Sequence, residues 1–147
     1  MLYFARRYDD ALADLRQAGD MQPNSSVVDL WIVKSYLKRG QADEAVAADL
    51  RVHASRDGLS EQSLDALRAA YSKKGWHAYW TKLRELVLPG YRSVANGQYT
   101  LAEIGAYLDE KEEAFRWLEK AYQGRSGFMP WIKVDPSLDP FRLDPRF

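Results

Sequence analysis

Apolar residues along this chain recur at three- and four-residue intervals, the pattern of helices that bury one face. Tyr8, Ala11, Leu15 and Ala18 form one such stripe, and Tyr79, Leu83, Leu86 and Val87 form another. Polar breaks at "KRGQ" (38–41), "KKGW" (73–76) and "LDEK" (108–111) separate the helical stretches. Gly40 and Gly75 suit the left-handed residue that ends a helix. "SVVD" (26–29) and "TLAE" (100–103) set a Ser or Thr three residues ahead of an acid, a capping box that predicts a helix start at each. Pro23 predicts that the helix before it stops there.

The stretches repeat. "YDDALADL" (8–15) resembles "ADEAVAADL" (42–50), with Ala11 and Ala45 34 residues apart. The next step lands on Tyr79, and one of 35 residues on Ala114. Leu15, Asp49, Leu83 and Leu118 make a second column, and Ala18, Val52, Leu86 and Ala121 a third. Leu2, Tyr36, Ala70 and Gly105 make a fourth. Asp49 is the plain polar exception. Two helices per unit at this period predict an all-α chain of about seven antiparallel helices with no sheet.

Composition narrows the function. The 147 residues include 21 basic and 21 acidic ones, so no basic excess exists for a broad nucleic-acid or anionic-membrane surface. Cysteine is absent, which removes disulfides, thiolate chemistry and Cys-based zinc sites. No apolar run approaches the roughly 18 residues of a membrane span, and "MLYFARRYDD" has no signal-peptide pattern, so a cytoplasmic location is expected. His53 and His77 are 24 residues apart, without the close spacing of a metal pair, and read as ordinary surface or helix-end histidines. The carboxylate pairs Asp9-Asp10 and Glu112-Glu113 fall at the starts of second helices, where the helix dipole explains them. With no glycine-rich phosphate loop and no nucleophile arrangement, no catalytic residue, metal or cofactor is expected. Trp31, Trp76, Trp80 and Trp117 lie at helical spacing and are expected to wedge hairpins together.

The spacing is that of the tetratricopeptide repeat, and the chain resembles that family along nearly its whole length. The best-matched unit, 26–57, carries Tyr36, Gly40 and Ala45 on the family's helix-A aromatic, turn glycine and helix-B alanine. Residues 1–24 resemble the latter part of another unit, down to Pro23-Asn24. Residues 60–88 form a degenerate unit with Tyr79 in the small-residue column. Residues 98–124 form a second degenerate unit, with Gly105 in the aromatic column and Asp109 in place of the turn glycine. The resemblance implies one domain over 1–147, with helix-turn-helix hairpins stacked as a short right-handed α-solenoid. "EEAFRWLEKAYQGR" with the ending after it is similar to the C-terminal repeat segments of multidomain bacterial signalling and transcriptional regulatory proteins. The chain is therefore expected to be a fragment of a larger protein.

That ending, "KVDPSLDPFRLDPRF" (133–147), holds three Asp-Pro pairs. Proline has no N–H and pushes its predecessor towards extended backbone, so an extended segment is predicted over 125–147. Its Phe141, Leu143 and Phe147 are too apolar for a solvated tail. A repeat stack leaves an apolar face open at its last unit, so the segment is expected to be a cap over the helix carrying Phe115, Trp117 and Leu118, or over that helix's partner.

The resemblance implies a non-enzymatic interaction scaffold that holds a peptide or partner helix in a concave groove lined by the A helices. The family's groove positions fall on Leu30, Lys34, Leu37 and Lys38, then Leu64, Arg68, Tyr71 and Ser72, then Tyr99, Glu103 and Tyr107. Lys34, Lys38 and Arg68 would form an exposed basic strip suited to an acidic segment or a ligand C-terminal carboxylate. Two other readings stay open. The repeats could serve as a spacer or homodimerisation surface beside an effector domain, which an apolar patch on an outer or end face would favour. They could also form a small-molecule sensor with a pocket walled by Trp76, Tyr79, Trp80 and the final helices, which a closed aromatic cavity would favour.

Overall fold

The computed structural model describes residues 2–147, and no strand occurs among them. Six α-helices follow in order: α1 (Tyr8–Met21), α2 (Ser26–Arg39), α3 (Ala42–Arg56), α4 (Glu61–Tyr91), α5 (Ala95–Tyr107) and α6 (Lys111–Gln123). Gly75, at φ 73° and ψ −160°, breaks α4 into a 61–74 limb and a 76–91 limb, which gives the seven rods that the period predicts. Short 3-10 turns follow at Met129–Trp131 and Pro136–Phe141.

The period is written into the backbone as well as the side chains. Arg6, Gly40, Gly75 and Asp109, spaced 34, 35 and 34 residues apart, all have positive φ. At three of these turns one pair of hydrogen bonds recurs. The N–H groups of Arg7, Gln41 and Glu110 reach the carbonyls of Leu2, Tyr36 and Gly105 at 3.0, 3.0 and 2.8 Å. Those of Arg6, Gly40 and Asp109 reach Tyr3, Leu37 and Ala106 at 3.0, 3.2 and 3.3 Å. This is the Schellman closure, which satisfies the last carbonyls of a helix and reverses the chain. Asp109 thus takes the left-handed role of the glycine it replaces, a conformation Asp tolerates better than most residues.

Residues 2–68 and 69–147 form two compact units, and the chain passes from one to the other within the 61–74 limb. In the first, α2 packs on both α1 and α3. Ala45 and Ala48 are fully buried on α3, and Val33, Val52, Ile32, Tyr36 and Leu37 close around Ala48. The turn before α1 contributes Tyr3 and Phe4, whose rings lie 5.4 and 5.3 Å from that of Trp31. Ser25 caps α2, its Oγ accepting from the Val28 N–H at 3.5 Å, and α1 ends at Met21, just before Pro23.

In the second unit α5 and α6 form a hairpin. A Cβ at Gly105 would come 3.1 Å from the Cβ of Ala114, so glycine stands in the aromatic column because the helices touch there. "TLAE" does not start this hairpin. α5 begins at Ala95, and Thr100 lies inside the helix with its Oγ1 on the Asn96 carbonyl at 3.3 Å. The tail is wound rather than extended. Asp135 accepts from the Ser137 N–H at 2.9 Å, and Pro136 takes the first position of the Pro136–Phe141 turn, where a missing N–H costs nothing.

Candidate functional site

In the first unit the groove positions divide. Leu30, Leu37 and Lys38 are half-buried or better exposed on α2, Leu64 is buried, and Arg68 is half-exposed at its side chain. Lys34 is only 6% exposed, with its Nζ 5.1 Å from the centre of the Trp31 ring. Its aliphatic stem is packed and its charge sits on an aromatic face. Arg68 is ion-paired to Asp65 at 2.5 Å and to Glu61 at 3.7 Å, both on its own helix. The expected exposed basic strip is therefore corrected, since one of its cations is buried and another is neutralised locally.

A charged cluster that sequence reasoning missed lies on α3. His53 stands in the last turn of α3, the helix end expected of it, but is buried rather than at the surface. Its Nδ1 lies 2.5 Å from Asp57 and its Nε2 3.4 Å from Asp49. Burial pushes the imidazole pKa down. The field and hydrogen bond of Asp49, together with the contact to Asp57, more than offset this and hold it up at about 9. The cluster explains Asp49, the polar exception in its column, and the signal was its i, i+4, i+8 spacing along one helix. It is an ion-pair arrangement, and no group of three acidic or histidine side chains suited to a metal ion occurs among the described residues.

In the second unit Tyr71 is half-buried and Ser72 exposed, but on α5 Tyr99 and Tyr107 are held by the protein's own tail. Tyr99 is 1% and Glu103 4% exposed, which corrects the expectation that both line an open groove. The Tyr99 hydroxyl donates to Asp135 Oδ2 at 3.0 Å, and the Tyr107 hydroxyl shares a hydrogen bond with Ser137 Oγ at 3.1 Å. Burial, then the nearby Glu103 and Asp135 carboxylates, push the Tyr99 phenol far above its ordinary value, so it stays a donor. Leu138 and Phe141 are buried, and the Phe141 ring lies 5.7 Å from that of Phe115 on α6.

Charged groups hold the tail in shape and seat it on α6. Arg142 donates to the Asp135 carbonyl at 2.7 Å and to the Lys133 carbonyl. Arg146 makes two 2.9 Å hydrogen bonds to Glu112, and its guanidinium lies 4.4 Å from the Phe115 ring centre. Asp144, bonded by Arg146 and by Lys111 at 2.6 Å, is held well below the usual carboxylate range. The tail packs through Phe141, while Phe147 is half-buried and Leu143, at 98% exposure, is no part of the packing.

The aromatic residues of this unit pack on one another. Trp80 stacks with Trp76 at 5.2 Å and with Tyr107 at 4.6 Å, and Tyr79 meets both tryptophans edge-on. Ring faces filled by other rings give the small-molecule pocket no support. A separate open cleft of about 320 Å³ lies on the α6 side, lined by Phe115, Leu118, Tyr122, Met129, Ile132 and Phe147 with Glu119 and Arg146 beside them.

Paired helices closed by the same turn at a fixed period define a helical hairpin repeat. A family model for the tetratricopeptide repeat matches residues 4–48, so the stretch spanning α1, α2 and the start of α3 is similar in sequence to that repeat. No curated protein and no solved structure matches the chain. Repeats of this kind support a protein-interaction scaffold, and no helix among the described residues is long and apolar enough to cross a membrane.

Proposed function

We propose that the chain is a non-enzymatic scaffold that holds a peptide or partner helix on the A-helix side of its first unit, around Leu30, Leu37, Lys38 and Arg68. The observation that carries this reading is a contrast within one column. Leu30 remains partly open on α2, whereas Tyr99, its equivalent on α5, is buried and bonded to the tail. Partly exposed leucines beside a lysine and an arginine suit an amphipathic segment with some acidic side chains. A bacterial signalling or regulatory setting is part of the proposal and rests on the resemblance of the C-terminal third. A photo-activatable residue at Lys38 should crosslink a discrete partner in the native cell, and one at Glu119 on α6 should not. Equal adducts from both positions, or none from Lys38, would overturn the placement.

The α6-side cleft favours a second reading, a dimerisation or spacer surface. Tyr122 at 66% exposure and Leu143 at 98% belong to the same helix and tail that form it, and aromatic and aliphatic residues left in water are what an association would bury. Sedimentation at increasing concentration tests it: a monomer throughout removes this reading.

A further inference from the structure

We infer that the inner face of α5 is a recognition site for a turn-forming Asp-Pro-Ser-Leu-x-Pro-Phe segment, and that the tail is its resident occupant, replaceable by a partner segment of the same chemistry. The proposal rests on the scaffold reading and names a second partner chemistry for it, in the other unit. The tail meets the hairpin as a ligand meets a receptor. Each polar feature of the segment has its own acceptor or donor: Asp135 on the Tyr99 hydroxyl and Ser137 on the Tyr107 hydroxyl. Phe141 anchors it against Phe115, and ion pairs from Lys111 and Glu112 to Asp144 and Arg146 ring the contact at partly exposed positions. An apolar anchor, satisfied polar contacts and a charged rim are the anatomy of an interface between separate molecules. The segment also brings its own shape. Asp135 caps the Pro136–Phe141 turn, and Arg142 closes it from within through two main-chain carbonyls, so little ordering remains to be done on docking. A partner carrying that short segment would present the same groups.

The tether gives the resident tail an effective concentration in the millimolar range, so a competitor needs either similar concentration or a weakened tail. Because the chain has no cysteine, Leu143→Cys, at an exposed position, takes one fluorophore whose anisotropy reports whether the tail is seated. A synthetic peptide of residues 133–147 is titrated into the labelled full-length protein. Anisotropy should fall at millimolar peptide while far-UV circular dichroism stays constant. In Asp135→Asn, or the milder Ser137→Ala if the first is poorly folded, the midpoint should drop by about tenfold, because only the resident tail and not the peptide is weakened. A peptide altered at Asp135 and Ser137 should need correspondingly more. Unchanged anisotropy in both the parent and the weakened protein, a fall that accompanies helix loss, or equal competition by the altered peptide would overturn the proposal. None of these outcomes bears on crosslinking at Lys38, so failure here is distinguishable from failure of the scaffold reading.

Discussion

The Tyr99 hydroxyl donates to the Asp135 carboxylate across 3.0 Å, joining the inner face of α5 to a tail 36 residues further along the chain. The same carboxylate accepts the Ser137 N–H and so shapes the turn that it seats. Both residues are almost fully buried, so water does not readily replace the bond when either group is removed. Tyr99→Phe should lower stability by about 1.5–3 kcal/mol, the range for a hydrogen bond to a charged group. Asp135→Ala should cost more, because the turn loses its cap as well. Thermal melts of the two variants check the order, and an Asp135→Ala protein melting above Tyr99→Phe would contradict it.

Phe141 and Leu143 lie two residues apart with opposite fates, 2% and 98% exposed. Phe141→Ala should cost about 3–5 kcal/mol, as buried phenylalanines do. Leu143→Ala should stay within about 0.5 kcal/mol of the parent. Deleting residues 137–147 should lower the melting temperature or drive association, since Phe115 loses its cover. An unchanged midpoint and an unchanged monomer after that deletion would mean that the tail covers nothing.

Much of this is legible from residues alone, and the failures have physical causes. The period, the turn glycines and the burial of Phe141 follow from local chemistry and from the need to cover a last apolar face. Lys34 covers Trp31 one turn away on its own helix, a spacing present in the sequence, but Tyr99 escapes such reasoning because its burial depends on a tail docked from far along the chain. Arg68 is like Lys34, since its partners Asp65 and Glu61 stand one and two turns away on the same helix and are visible in the sequence. Proline signals non-helical backbone in the tail, but the Asp before each proline, a capping residue, is the stronger guide to tight turns.

His53 should make stability depend on pH. Its folded value of about 9 lies above the ordinary 6.5, so its contribution is complete below pH 6.5 and is lost as pH rises through 9. The loss should amount to no more than roughly 3 kcal/mol. Urea unfolding across this range should show the decline in the parent protein, and His53→Gln should flatten it. A parent protein as stable at high pH as at neutrality would remove the charged imidazole from the cluster.

Gly105 is where α5 meets α6. Gly105→Val should force the helices apart at Ala114 and cost about 1–3 kcal/mol, the usual penalty of overpacking. The same column in the first unit holds Tyr36, whose hydroxyl accepts from Arg16 at 2.9 Å in an exposed contact between α1 and α2. Tyr36→Phe should therefore be nearly neutral in the same denaturation assay. A loss as large as that of Gly105→Val would mean that the hydroxyl, and not the ring alone, holds α1 to α2.

Hydrogen exchange on the full-length chain tests most directly whether the tail closes the second unit's inner face while that of the first stays open to a partner. The amides of Leu138 and Arg142, bonded to the Asp135 and Asp139 carbonyls at 3.2 and 3.3 Å, should be protected alongside those of α5. Tyr99→Phe should speed exchange in the tail before it speeds exchange in α2 or α3. Tail amides that exchange at the rate of an unstructured peptide, with α5 still protected, would contradict the closure and reopen Tyr99 and Glu103 as partner positions.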